Sequence, residues 1–186
     1  RHYEGTKKSQ EFWMTVIAGI KTKYSVSLYA DASASDGDTI LSMTAPKIWA
    51  ASENIICGYA GSAGLGQLLQ FMEWPKLDDD DVLRWLRVSL APAFIEAREK
   101  MAGKDEEEAS ILLGIKANDT YLFEMQTSDY SFFPFDYSAI GTGSAAALGS
   151  LYSTKHMDIH QRGVLSIEAA IEHTPSCKGP VSWLSV

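Results

Sequence analysis

Residues 15–61 read TVIAGIKTKYSVSLYADASASDGDTILSMTAPKIWAASENIICGYAG and decide the fold. Runs rich in apolar and β-branched residues predict five strands, TVIAGIK, SVSLYADA, DTILSM, PKIWAA and NIICGYAG. Short polar residues around Gly37 predict a turn before the third strand, and Ser52 and Glu53 separate the fourth strand from the fifth. The stretch therefore predicts an antiparallel meander that completes one N-terminal sheet.

After Gly61 the apolar residues change to helical spacing. The first stripe consists of Leu65, Leu68, Leu69 and Met72, and it predicts a helix that ends before Pro75. The acidic run 78–81 then precedes an apolar pattern that continues to Leu90. Acidic side chains are favoured at the start of a helix, where the helix dipole is positive, so this run predicts a second helix rather than a metal site.

The second half of the chain repeats the order of strands followed by helices. Three strands are predicted at ASILLGIKA, TYLFEMQ and SFFPFD, two helices at residues 143–152 and 159–173, and a last strand at PVSWLSV. This order predicts an α+β domain in which a pair of helices covers each of two sheets.

Composition limits the classes of function. A chain of 186 residues with 46% hydrophobic residues predicts one compact domain, here residues 15–186, with residues 1–14 as an N-terminal extension or propeptide. The net charge of -8 argues against nucleic acid as a partner, and the absence of a long apolar run argues against a membrane. Two distant cysteines without metal-ligand spacing predict a cytoplasmic protein that holds no metal, and we expect no cofactor.

Four short segments give the strongest indication of function. The chain resembles the start of a proteasome β-type subunit in four segments, and no gap is needed to align them. The segments are Thr15-Val-Ile-Ala-Gly-Ile-Lys, Ala30-Asp31, Pro46-Lys47-Ile48 and Tyr59-Ala60-Gly61. That resemblance implies the four-layer α/β/β/α sandwich of N-terminal-nucleophile hydrolases. It also implies that Thr15 is the nucleophile of a threonine peptidase.

The chemistry of these residue types agrees with such a site. A threonine hydroxyl needs a base, and a free terminal amine with a pKa of about 7.7 to 8.0 can serve as one. The ammonium of Lys47 would favour the ionised hydroxyl, and Asp31 would balance and orient that ammonium. The backbone N–H of Gly61, at a strand-to-helix turn, would stabilise the oxyanion of the tetrahedral intermediate.

Two later segments extend the resemblance. Gly141-Thr142-Gly143 is similar to the family's GSG segment, so Thr142 would take the place of a serine that hydrogen-bonds near the nucleophile. Near the C-terminus, Thr174 and Cys177 occupy the places of an Asp and a Ser that support the threonine in the family. Loss of that carboxylate would remove one group that orients the nucleophile.

The same match implies a substrate pocket. Its lining would be Ala34, Ala45, Tyr59 and Ala63, with Tyr59 as the floor. We expect a preference for small or modest apolar residues before the cleaved bond.

The predicted function is therefore peptide cleavage by Thr15 inside a ring of identical subunits, with peptides or unfolded proteins as substrates and an ATPase unfoldase as a possible partner. Because the nucleophile must be N-terminal, residues 1–14 would have to be removed or Met14 would have to be the natural start. Two alternatives stay open. One is a non-catalytic structural or assembly subunit that keeps its extension, and the other is a small-molecule amidase on the same fold.

Overall fold

The computed structural model describes residues 15–35, 40–42, 45–100 and 108–186, without the side chains of 34–35 and 40–42. The predicted extension, residues 1–14, lies outside the described residues. The described strands are β1 Ile17–Lys21, β2 Val26–Ala30, β3 Ser33–Ser35, β4 Ile40–Ser42, β5 Ile48–Ser52, β6 Ile55–Gly61, β7 Ala109–Lys116, β8 Thr120–Gln126, β9 Ser131–Pro134, β10 Tyr137–Ile140 and β11 Ser182–Ser185. The described helices are α1 Ala63–Phe71, α2 Val82–Trp85, α3 Ala91–Glu99, α4 Ser144–Ser153 and α5 Ile159–His173, and a π-helical segment, Leu86–Leu90, joins α2 to α3.

The strands form two larger antiparallel sheets and a small hairpin. One sheet has the order β10-β1-β2-β11, the other has the order β5-β6-β7-β8-β9, and β3 pairs with β4. The prediction of a single N-terminal sheet is therefore wrong. The physical reason is burial on both faces: every residue of β2 is buried, so β1 and β2 need cover on each side instead of one wet face. The second sheet covers one face and helices cover the other.

Three apolar clusters fill the spaces between four layers. The first lies between the five-stranded sheet and α1 to α3, and includes Leu69, Trp85, Phe94, Leu113 and Phe123. The second lies between the two sheets and includes Ile17, Leu28, Ile56, Leu112 and Leu122. The third lies between the four-stranded sheet and the pair α4 and α5, and includes Ala18, Tyr29, Leu151 and Ile167. The predicted four-layer α/β/β/α sandwich is confirmed.

Strand register brings distant parts of the chain to one end of the four-stranded sheet. Ile17 pairs with Ala30 of β2 and with Ile140 of β10. Ser182 of β11 also pairs with Ala30. The residues just before β1, just after β2, just after β10 and just before β11 are therefore neighbours, although they are far apart in sequence.

No helix in the described part of the chain is both long enough and apolar enough to cross a membrane.

Candidate active site

A buried carboxylate organises this end of the sheet. Asp31 follows β2 directly and is 1% exposed. One of its oxygens, Oδ1, accepts hydrogen bonds from the backbone N–H of Val16 at 3.0 Å and from Nζ of Lys47 at 2.7 Å. The other, Oδ2, accepts from the Ser33 hydroxyl, from the Ser33 N–H at 3.2 Å and from the Lys178 N–H at 3.3 Å. These donors satisfy a charge that would be very costly to bury alone.

Lys47 lies inside the molecule. It is 3% exposed, and its ammonium also lies 3.3 Å from the Ser33 hydroxyl. Burial lowers the pKa of Lys47 below the ordinary lysine value, while the Asp31 carboxylate opposes that shift. Because Lys47 and the Val16 amide bind the same Asp31 oxygen, the ammonium is placed beside the residue that follows Thr15.

Thr15 is held from the side opposite Asp31. It is 7% exposed, and its backbone nitrogen donates to Oγ1 of Thr142 at 3.4 Å. Its carbonyl oxygen accepts from the Thr142 hydroxyl and from the N–H of Gly143, both at 3.3 Å. Thr15 therefore lies between the segment after β10 and the segment that contains Asp31.

The two glycines around Thr142 are required by close packing. Gly141 has a φ of +90°, and a Cβ there would lie under 3.0 Å from the Thr15 carbonyl oxygen. A Cβ at Gly143 would lie 2.9 Å from Val16 and from the Cys177 sulfur. Only glycine lets the chain approach this closely, so the Gly-Thr-Gly sequence has a steric cause.

Gly61 ends β6 with a φ of +129° and immediately precedes Ser62, the N-cap of α1. It lies opposite Ala109 of β7, but Ala109 exchanges hydrogen bonds with Thr127 on its other side. Since both backbone groups of a strand residue point to the same side, Gly61 belongs to a pair without mutual hydrogen bonds. Its N–H therefore points away from β7, toward the side on which Lys47 precedes β5.

The C-terminal candidates, Thr174 and Cys177, make different kinds of contact: Thr174 through its backbone and Cys177 through its side chain. Thr174 ends α5, and its carbonyl oxygen accepts the Cys177 N–H at 2.9 Å. Cys177 is 3% exposed and its sulfur packs close to Gly143. Burial and the nearby Asp31 charge raise the pKa of the Cys177 thiol to about 11, although Lys47 and the neighbouring Thr142 and Ser176 hydroxyls, which would hydrogen-bond a thiolate, oppose this. The thiol is therefore neutral at physiological pH.

The predicted pocket residues fall at three places. Tyr59 is half-buried on β6, with its ring close to where a Cβ on Gly66 of α1 would stand. Ala45 is exposed just before Lys47, and Ala63 is exposed at the first position of α1. Ala34 lies in β3 opposite Leu41, and its side chain is outside the described part.

Sequence reasoning missed three residues of this region. Ser33 binds Asp31 and Lys47, and its spacing of two from an aspartate at a strand end is a signal for a local Asp–backbone turn. Trp49 has its ring 6.1 Å from that of Tyr59, which only the strand register reveals. Ser176 has its hydroxyl 3.0 Å from that of Thr142, and no local pattern indicates it.

Comparison with known proteins agrees with this architecture. The family model described as "Proteasome subunit" matches residues 14–72. A search of curated protein sequences finds no match. Among solved structures, BPH from Thiobacillus denitrificans in complex with epoxomicin is similar with a TM-score of 0.72 at 19% identity, and the match covers 92% of this chain and 98% of that one.

Two further structures give the same result. A second structure of BPH from Thiobacillus denitrificans has a TM-score of 0.71 at 20% identity, over 92% of this chain and 97% of that one. Eukaryotic HslV from Trypanosoma brucei has a TM-score of 0.66 at 15% identity, over 92% of this chain and 98% of that one. With the four layers and the matched N-terminal segment, these likenesses show that the chain has the proteasome β-type fold of N-terminal-nucleophile hydrolases.

Proposed function

We propose that this protein is a threonine peptidase of the proteasome type, active once Thr15 is the N-terminal residue. The observation that carries the proposal is the shared oxygen of Asp31. It binds the Val16 amide at 3.0 Å and the Lys47 ammonium at 2.7 Å. This arrangement puts a buried positive charge on the same oxygen as the amide that directly follows Thr15, and from there we propose that it favours the ionised hydroxyl.

In the proposed reaction, the free amine of Thr15 removes the proton from the Thr15 hydroxyl, and the oxygen attacks the carbonyl carbon of the substrate. The C–N bond of the peptide then breaks, and the proton passes to the leaving amine. An ester between substrate and Thr15 remains, and water hydrolyses it to regenerate the hydroxyl. The N–H of Gly61, which points away from β7, is the proposed donor to the oxyanion. Thr142, which accepts a hydrogen from the Thr15 nitrogen, would orient the amine.

The proposal requires that residues 1–14 be absent from the active form, because an amide nitrogen cannot act as the base. We propose that this segment is a propeptide or lies before the natural start. We also propose that the active form is a cytoplasmic ring of identical subunits, because HslV is among the solved structures with a similar fold. We further propose that an ATPase unfoldase supplies unfolded substrate.

The test begins with the full chain carrying a specific protease site immediately before Thr15. After folding, cleavage gives the processed chain, and we expect it to hydrolyse a fluorogenic peptide while the uncleaved chain does not. Thr15→Ala should abolish hydrolysis. Thr154→Ala, at the end of α4, removes a matched hydroxyl that bonds the Ser150 carbonyl and should have little effect. Equal rates for the processed and uncleaved chains would refute the proposal.

Epoxomicin offers a second probe, because the complex with Thiobacillus denitrificans BPH has a similar fold. We expect it to raise the melting temperature of the processed chain but not of Thr15→Ala.

The proposed substrate preference follows from Tyr59 and its neighbour Trp49, whose rings lie 6.1 Å apart. Two large rings would leave room only for small or modest apolar side chains before the cleaved bond. A panel of peptides that vary at this position tests the preference, and Tyr59→Ala should move it toward larger residues. Fastest cleavage after bulky basic residues would contradict this assignment.

A specific observation favours the non-catalytic alternative. The position that corresponds to the family's supporting aspartate is Thr174, and the contacts around Thr15 on that side come from the neutral groups of Thr142 and Gly143. If the processed chain hydrolyses neither peptides nor small amides, a structural or assembly role replaces the peptidase. Turnover of small amides without peptides would instead favour an amidase.

A further inference from the structure

The Thr142 hydroxyl lies beside the neutral Cys177 thiol and has three nitrogen or oxygen partners, and these three fix the direction of each hydrogen bond among them. The hydroxyl accepts from the Thr15 nitrogen at 3.4 Å, donates to the Thr15 carbonyl at 3.3 Å and lies 3.0 Å from the Ser176 hydroxyl. A hydroxyl has one proton and two acceptor positions. Since the proton of Thr142 is used toward Thr15, all three contacts hold at once only if Ser176 donates to Thr142.

We propose that Ser176 is a positioning residue, whose hydroxyl holds Thr142 in the orientation that receives a hydrogen from the Thr15 nitrogen. This inference rests on the proposed function for its catalytic consequence. The hydrogen bonds by which Ser176 orients Thr142, and Thr142 in turn binds the Thr15 nitrogen, do not depend on catalysis.

Ser176 is itself fixed from both sides. The carbonyl of Thr174 accepts the N–H of Cys177 at 2.9 Å, which closes a turn directly after α5. The N–H of Lys178 donates to Asp31 at 3.3 Å, and its carbonyl accepts the N–H of Ala32 at 2.7 Å. Ser176 therefore sits on a segment anchored to the same carboxylate that holds Lys47.

The buried side chain of Cys177 adds a third anchor. It is 3% exposed and packs against Gly143, the residue after Thr142. The Ser176 segment and the Thr142 segment are therefore packed together, and their relative position is set by side-chain contact as well as by the hydroxyl pair.

Both hydroxyls lie at the surface of the site: Thr142 is exposed and Ser176 is half-buried. An exposed hydroxyl rotates among several partners, including water, unless a neighbour fixes it. Donation by Ser176 occupies the second acceptor position of Thr142 and leaves the first one facing Thr15. In the processed chain, the same arrangement would orient the amine that acts as the base.

The kinetic test compares Ser176→Ala with Ser176→Thr in the processed chain. Loss of one neutral hydrogen bond should lower kcat by about fivefold to tenfold. KM should stay within about twofold, since Ser176 is not among the proposed pocket residues. Ser176→Thr keeps the hydroxyl and should restore most of kcat. Ser153→Ala, which removes an exposed hydroxyl bonded to the Gly149 carbonyl, is the matched control.

The decisive comparison repeats Ser176→Ala in a Thr142→Ala background. If Ser176 acts through Thr142, the second substitution adds no further loss of kcat, whereas independent effects would multiply. An equal loss in both backgrounds, or no loss in either, overturns the inference while leaving the peptidase proposal intact.

A measurement without catalysis covers the case in which the processed chain is inert and the proposed function fails. In the uncleaved chain, hydrogen exchange of the Thr15 amide should become about fivefold to tenfold faster in Ser176→Ala, because its acceptor is no longer fixed. Ser176→Thr and Ser153→Ala should exchange like the original chain. Unchanged exchange of the Thr15 amide in Ser176→Ala overturns the inference.

Discussion

The residues on the two sides of Thr15 differ in charge and in exposure. Asp31, Ser33 and Lys47 form the charged side of the site, which is buried and contains an ion pair of 2.7 Å. Thr142 and Ser176 form the hydroxyl side, which is neutral and open to solvent. The charged side must satisfy every polar group, because nothing else solvates it. The hydroxyl side can exchange its partners for water, so substitutions there should cost less stability than loss of a buried charge.

The largest effect is expected from Lys47→Ala. The substitution leaves the Asp31 carboxylate buried without its ammonium, and we expect a loss of about 3 to 5 kcal/mol in the free energy of unfolding. Under the proposed function, peptide hydrolysis by the processed chain should fall by about a hundredfold to a thousandfold, because the charge proposed to favour the ionised Thr15 hydroxyl is lost. Denaturant titration and initial rates measure the two effects.

Lys21→Ala is the matched control for a surface ion pair. Lys21 lies 3.6 Å from Asp136, and their side chains are 31% and 86% exposed. The expected loss is less than about 1 kcal/mol, since solvent screens such a pair. If both lysine variants lose the same stability, the distinction between a buried and a screened charge does not hold for this protein.

A smaller but still large effect is expected from Gly141→Ala. The new Cβ would lie under 3.0 Å from the Thr15 carbonyl at a φ of +90°, so the hydroxyl side must move away from Thr15. We expect a loss of about 2 to 4 kcal/mol from steric overlap and backbone strain. This variant separates the backbone geometry of the hydroxyl side, which is fixed, from its side chains, which tolerate change.

Gly149→Ala tests the same substitution in open space. Gly149 lies in α4, and a Cβ there would have no neighbour within 4 Å. The change should stabilise the protein by about 0.5 to 1 kcal/mol, because alanine has less conformational freedom to lose on folding. Thermal unfolding gives the melting temperatures of Gly141→Ala and Gly149→Ala. A shift of both in the same direction would contradict the steric account.

The smallest effect is expected in the reactivity of Cys177, which borders both sides of the site. Its pKa is raised to about 11, so only a small fraction is thiolate at neutral pH. Because a raised pKa lowers the thiolate fraction at every pH below it, the rate of alkylation by iodoacetamide should rise about tenfold per pH unit between pH 7 and pH 10.

Cys57 is the internal control for this labelling. It is fully buried, and burial raises its pKa well above the ordinary value, so it should react only on unfolding. Mass spectrometry of the modified peptides distinguishes the two sites. A plateau in the labelling of Cys177 near pH 8 or 9 would show that its thiol is not held neutral by its surroundings.

Local patterns predicted the elements well but not the assignment of strands to sheets. Strands β1, β2, β4, β5 and β6 lie where apolar runs predict them, whereas β3 lies in the predicted turn, and α1 and α5 follow their helical spacing. The division of β1 and β2 from β5 and β6 was missed, since hydrogen-bond partners on neighbouring strands leave no signal in one strand's own pattern. The two partners that complete the four-stranded sheet, β10 and β11, come from the last third of the chain.

For the site, too, some contacts could be expected from the sequence and others could not. The resemblance to proteasome β-type subunits implied that Thr15, Asp31 and Lys47 share one location, and Asp31 does contact Lys47 and the residue after Thr15. The contact between Thr142 and Ser176 spans 34 residues of sequence and needs the turn after α5, so sequence reasoning did not find it.

The sequence by itself determined the main kinds of elements and their order, because these depend on periodicity within single segments. Tertiary structure alone decided which strands share a sheet, that Lys47 is buried against Asp31 at 2.7 Å, and that Ser176 reaches Thr142. The physical reason is that burial and strand register depend on what covers each face, and the covering residues come from distant parts of the chain.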